Sequence, residues 1–165
     1  MATSTRAKAT TTPRTRYEDD LYTWVQEQVA LLRAGKLSEL DILNIAEELS
    51  DVAKAELREL VSSIAVLTQH LLKWEYQTNR RSRSWELSIR EHRRRIARLL
   101  KKSPGLKAQL AEAVEDGYAD GRDRALSETD LPDAAIPQSC PYTFDEMLTR
   151  PVAYEPQSKS KRDKR

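Results

Sequence analysis

No glycine or proline interrupts the chain between Ser38 and Gln77. Along that stretch apolar residues recur at Ala46, Leu49, Ala53, Leu57, Leu60, Ile64, Leu67, Leu71 and Trp74. Gaps of three and four residues match the period of an α-helix, so the stretch predicts one continuous helix of roughly 40 residues and about 60 Å. Ser38 stands where an N-cap is wanted, with Asp41 three residues on, close to a capping box. A helix that long carries an apolar stripe it cannot bury by itself. Other helices must lie along it, and the chain is therefore expected to be all-α, built on this spine.

The rest of the sequence supplies those helices. A first helix is predicted from Glu18 to Arg33, with Leu21, Trp24, Val25, Gln28, Leu31 and Leu32 on one face, acids in its first turn and Gly35 as its stop. After the spine, Ser82 or Ser84 can cap a third helix bearing Trp85, Ile89, His92, Ile96, Leu99 and Leu100. Ser103 and Pro104 fit the start of a fourth, which carries Leu106, Leu110, Ala113, Val114, Gly117, Tyr118, Gly121 and Ala125. Its small residues allow close approach to a neighbour. Prolines 132, 137 and 141 deny the next segment a long helix. Thr143 and Glu146 then form a capping box for a short helix over Phe144–Thr149. The expected fold is a bundle of four main helices plus this short C-terminal one. The first helix can cover only the first half of the spine. The third and fourth belong to the second half. Apolar surface left over predicts a homo-oligomer, in the first instance a homodimer.

Charge is strongly segregated. The chain of 165 residues has a net charge of only +2, yet residues 70–102 carry +8 between acidic blocks of −5 at 39–60 and −5 at 103–133. Residues 1–16 and 157–165 carry +4 each and read as disordered basic tails around one helical domain, 17–156. A chain so patterned can neutralise itself on folding, so its overall charge says little about nucleic acid. One cysteine excludes an internal disulfide and a CxxC zinc site. The N-terminal stretch lacks the apolar core of a secretory signal, and no run of 18 apolar residues exists. A cytoplasmic protein without membrane contact is expected.

Chemistry-bearing residues concentrate in HLLKWEYQTNRRSRSWELSIREHRRR, residues 70–95. It holds both histidines of the chain and two of its three tryptophans. His70, Lys73, Trp74, Gln77, Arg81, Arg83, Trp85 and His92 make up a candidate polar and aromatic corner where the second and third helices join. Arg80, Arg81, Arg83, Arg90, Arg93, Arg94, Arg95 and Arg98, interleaved with aromatics, have the composition of a single-stranded nucleic-acid surface. Against that, Glu112, Glu115, Asp116, Asp120 and Asp123 on the antiparallel fourth helix are placed to neutralise them. A corner of a bundle is therefore the preferred reading. An antiparallel hairpin would set His70 opposite about residue 91, near His92, as an acid–base or metal site requires. Buried histidines satisfied by a carboxylate or carbonyl are the commoner outcome. Glu47 and Glu48 form an acidic pair about 33 Å from His70 on a straight helix, too far to share an ion with it. They read as exposed acids, one of them pairing with Lys54 or Arg33. Cys140, with no base in its segment, reads as a small buried apolar residue. No catalytic residue, metal ligand or cofactor is assigned.

The segments YEDDLYTWVQEQVALLRAGK, NIAEEL, HLLKWEYQ…RSRSW and ETDLP…IPQSCPYTFDEML also resemble domain-of-unknown-function family twenty-nine, a bacterial family. The likeness spans about Tyr17 to Leu148 and implies an all-α fold with no assigned activity. No reactive triad, phosphate loop or metal-ligand spacing is visible. The expected function is accordingly a non-enzymatic protein–protein interaction module, self-associating or bound to an unidentified protein. Single-stranded RNA or DNA binding through Arg80–Arg98 is the alternative, and an enzyme using His70 and His92 a more distant third.

Overall fold

The computed structural model describes residues 14–155. Among these residues every regular element is helical, in the order α1 (Leu21–Arg33), α2 (Ile42–Tyr76), α3 (Arg83–Lys102), α4 (Leu110–Ser127) and α5 (Phe144–Thr149). The protein is all-α, with four substantial helices, one of them long, and a short fifth. The two basic tails lie outside the described residues apart from Arg14, Thr15 and Arg16. The chain divides into two compact units, Met1–Val52 and Ala53–Arg165, and α2 starts in one and ends in the other.

In the first unit, α1 begins at Leu21 rather than Glu18, because Asp20 caps it. The Asp20 carboxylate accepts from the Thr23 N–H at 3.1 Å and the Thr23 hydroxyl at 2.6 Å. Gly35, at φ +69°, ends the helix as expected. The Lys36 N–H reaches the Leu31 carbonyl and the Gly35 N–H the Leu32 carbonyl, which satisfies two of the carbonyls the helix end leaves open. Ser38 does not cap the spine. It sits in a 3-10 turn, Leu37–Glu39, and α2 starts at Ile42. Asp41 replaces it: its carboxylate accepts from the Asn44 N–H at 3.3 Å and the Asn44 amide at 2.7 Å. α1 sets this cap, since Gln28 accepts the Asp41 N–H at 3.0 Å and the Trp24 indole donates to the Asp41 carboxylate at 3.3 Å. Tyr17 meets Trp24 edge-on at 5.0 Å and donates its hydroxyl to Glu48 at 2.6 Å.

These contacts engage Asp41, Asn44 and Glu48, residues at i, i+3 and i+7 on one side of α2. The apolar stripe lies on another side. Ala46 and Leu49 therefore remain exposed, and the expectation that the first helix covers the first half of the spine does not hold. α1 spends its buried side chains, Trp24 and Gln28, on the polar cap instead.

The second unit holds the core. Leu60, Ile64, Leu67, Leu71, Leu72 and Trp74 of α2 meet Ile89, Ile96 and Leu99 of α3 and Ala113, Tyr118 and Ala125 of α4. Short connections make consecutive helices antiparallel, so α4 returns parallel to α2. The order of contacts shows it: Gly117 lies against Ile64, Gly121 against Thr68, and Glu128 against Lys73. Ser103 does not cap the fourth helix. Its hydroxyl donates to Glu56, and a 3-10 run, Pro104–Gln109, precedes α4. The proline-rich segment has carbonyls no helix can satisfy, and buried Arg122 takes those of Asp133, Ile136 and Pro137. α5 carries its capping box at Thr143 and Glu146 as the sequence predicts, and buries Met147.

Candidate functional site

The corner is built where α2 ends. Helix periodicity brings His70, Lys73 and Trp74 through the last two turns of α2, and Gln77 follows directly on its last residue. Ser82 then caps α3 through the Trp85 N–H at 3.3 Å, which fixes Trp85 in its first turn. Lys73 is buried, and two groups hold its ammonium. Glu128, just past α4, accepts from it at 2.6 Å, and the face of Trp85 lies 4.6 Å away. Glu128 is the residue the sequence could not point to. It stands 55 positions from Lys73 in a stretch rich in other acids. Lysine and a Gln69 hydrogen bond hold its carboxyl below the usual range.

Trp74 is buried, while Trp85 is only half-buried. Arg81 is exposed but not free: its Nε donates to the Trp74 carbonyl at 2.8 Å, and its guanidinium lies 5.0 Å above the Trp74 ring. Arg83 is exposed and Gln77 buried. Neighbouring the corner, Glu75 accepts from the Tyr142 hydroxyl at 2.6 Å and from Arg150 at 3.1 Å.

His70 and His92 come within electrostatic reach of one another, as the hairpin alignment suggested. Burial, then the Lys73 charge and His92, push the His70 imidazole down to about 4 against the opposing pull of Glu128. His92 is likewise lowered, by burial and then Arg95, with Glu91 opposing. Both stay neutral at pH 7. In each the Nδ1 is buried without a hydrogen-bond partner, so neither imidazole is satisfied by a carboxylate or carbonyl at that atom. Among the described residues, no three His, Cys, Asp or Glu side chains are grouped to hold a metal ion.

The arginines are neutralised by other partners than the sequence suggested. No ion pair joins Glu112, Glu115, Asp116, Asp120 or Asp123 to an α3 arginine among the described residues; these acids are exposed. Instead Arg95 pairs with Glu59 of α2 at 3.0 Å, and Lys102 with Glu56. Arg94 and Arg98 take Glu91, and Arg90 lies 3.8 Å from Glu86, all within α3. Arg93 donates to the Met147 and Arg150 carbonyls at 2.8 and 2.7 Å. The reason is orientation: α4 turns its small residues toward α2 and its acids to solvent.

Of the acidic pair, Glu48 takes the Tyr17 hydroxyl, which raises that phenol to about 12, and Glu47 is exposed. Cys140 is half-buried, and burial raises its thiol. No helix among the described residues is long and apolar enough to cross a membrane. A family profile described as Domain of unknown function DUF29 matches residues 16–152. No curated protein and no solved structure matches the chain.

Proposed function

The chain belongs to the family described as Domain of unknown function DUF29, and within it we propose a non-enzymatic protein–protein interaction module that works by self-association. One observation carries this reading. Of the nine exposed large hydrophobic residues among the described ones, eight lie in the Met1–Val52 unit. They are Leu21, Tyr22, Leu32, Leu37, Ile42, Leu43, Leu49 and Val52, and Leu43 reaches 84% exposure. Apolar side chains gathered on one unit are what a stable interface, about 800 Å² per partner, is built from. Monomeric proteins rarely concentrate exposed large apolar side chains in one region in this way.

Sedimentation velocity at micromolar concentration tests the reading. The full chain is expected to run as a dimer. Leu49→Lys with Val52→Lys is expected to run as a monomer with unchanged helical circular dichroism, since both positions face solvent in the free chain. A wild-type monomer at that concentration refutes it. Nucleic-acid binding has less support, because most of the α3 arginines already have partners. A gel shift with single-stranded RNA at two salt concentrations bears on that alternative. Salt-dependent binding by the full chain, lost in Arg80→Glu with Arg83→Glu, would favour it instead.

A further inference from the structure

Within the exposed set, Ile42, Ile45, Leu49 and Val52 follow one another at gaps of three, four and three. This is the spacing of the inward positions of a helix–helix seam. Ile42, Leu49 and Val52 are 65%, 66% and 61% exposed, and Ile45 is half-buried. On the flank next to Ile45 and Val52, Asp41 takes Trp24, Gln28 and Asn44 and Glu48 takes Tyr17, which leaves the row itself open. The row itself contains no charge. A sequence of gaps that reads the same from either end matches its own copy when that copy is reversed.

We propose that the partner's α2 docks on this row antiparallel, about a two-fold axis passing beside residue 47. Ile42 then packs against the partner's Val52, and Ile45 against the partner's Leu49. This geometry rests on the self-association reading and adds its register. Each apolar residue meets an apolar residue, which is the self-complementarity an isologous contact demands. Ala46 borders the row on its other flank and lets the backbones approach. Glu47, nearest the axis, projects from the opposite side of the helix, so the two copies of its charge are kept apart.

A parallel pair fits less well. Its seam would place Leu49 at the position where parallel two-stranded pairs favour a β-branched residue, and Ile45 and Val52 where they favour leucine. It would also set two helix N-termini side by side, each with its Glu39 and Asp41, whereas the antiparallel pair opposes the helix dipoles.

Disulfide trapping decides the register. In a Cys140→Ser background, Ile45→Cys and Leu49→Cys chains are purified separately, checked for helicity, mixed in equal amounts and oxidised. The mixed disulfide is expected to outrun both self-disulfides by at least ~10-fold, since Cα atoms more than ~7 Å apart cannot be bridged. Faster self-disulfides from a chain that sediments as a dimer overturn the antiparallel register while leaving self-association intact. A dimer that forms no disulfide at either position moves the interface off this row and overturns the proposal. A monomer that forms none refutes the self-association reading as well.

Discussion

Gly121→Ala asks whether α4 truly lies backbone-to-backbone on α2. A Cβ built at Gly121 stands 2.5 Å from the Ala65 carbonyl oxygen and 2.8 and 3.0 Å from Thr68 Cβ and Cγ2. Carbon atoms settle at about 3.5–4.0 Å from one another, so α4 must retreat by about 1 Å or α2 must yield. Neither has an easy way out. Ala65 obstructs with its main chain, and Ala65 and Thr68 are both fully buried. Overpacking of this kind costs about 1–3 kcal/mol, and a backbone obstacle belongs at the upper end. Alanine in place of glycine within a helix returns about 1 kcal/mol. The net expectation is a loss of about 2 kcal/mol. Urea unfolding followed by helical circular dichroism measures it as a fall in midpoint at unchanged slope. Gly105→Ala is the control, because nothing lies within 4 Å of a Cβ there, and it should shift stability by no more than about 0.5 kcal/mol. If Gly121→Ala raised the midpoint, the close crossing of α4 over α2 would be wrong.

Further outcomes follow from the corner. Glu128→Ala strands the buried Lys73 ammonium and should cost about 2–3 kcal/mol, and adding Lys73→Met should restore most of it in the same unfolding assay. If the single variant is neutral, the ion pair holds nothing. Trp74→Ala should cost about 3–5 kcal/mol and Trp85→Ala about half as much, with iodide quenching Trp85 more than Trp74 in the parent. Equal quenching contradicts the difference in burial. His70 titrates at about 4 in the folded chain against 6.5 unfolded, so it contributes stability that is complete above pH 6.5 and is lost as pH falls toward 4. With allowance for its partial solvent access the loss should be on the order of 2 kcal/mol. His70→Gln should flatten unfolding free energy between pH 6.5 and 5, His92 leaving a residual slope; an unchanged profile would show that His70 does not titrate there.

What the sequence determined by itself is whatever depends on neighbours within a turn or two. Spacing alone marks α2 as the long helix, Gly35 as a stop, Ser82 or Ser84 as the cap of α3 and Thr143–Glu146 as a capping box, because each involves hydrogen bonds or faces set by residues three or four apart. The hairpin of α2 and α3 is nearly as local, so His70 and His92 could be brought together by counting from the turn. Other features were decided only in three dimensions. Ser38 and Asp41 are equally good caps in isolation; Gln28 and Trp24 choose Asp41 by bonding its backbone and carboxylate. Glu56, Glu59 and Glu91 neutralise the α3 cations in place of the α4 acids, because the small face of α4 must meet α2 and carries its carboxylates to solvent. Glu128 reaches Lys73 only because α4 runs parallel to α2. The apolar stripe of α2 looks uniform from Ala46 to Trp74, yet it is buried from Leu60 onward and bare at Leu49, since periodicity names the face of a helix but not what lies against it.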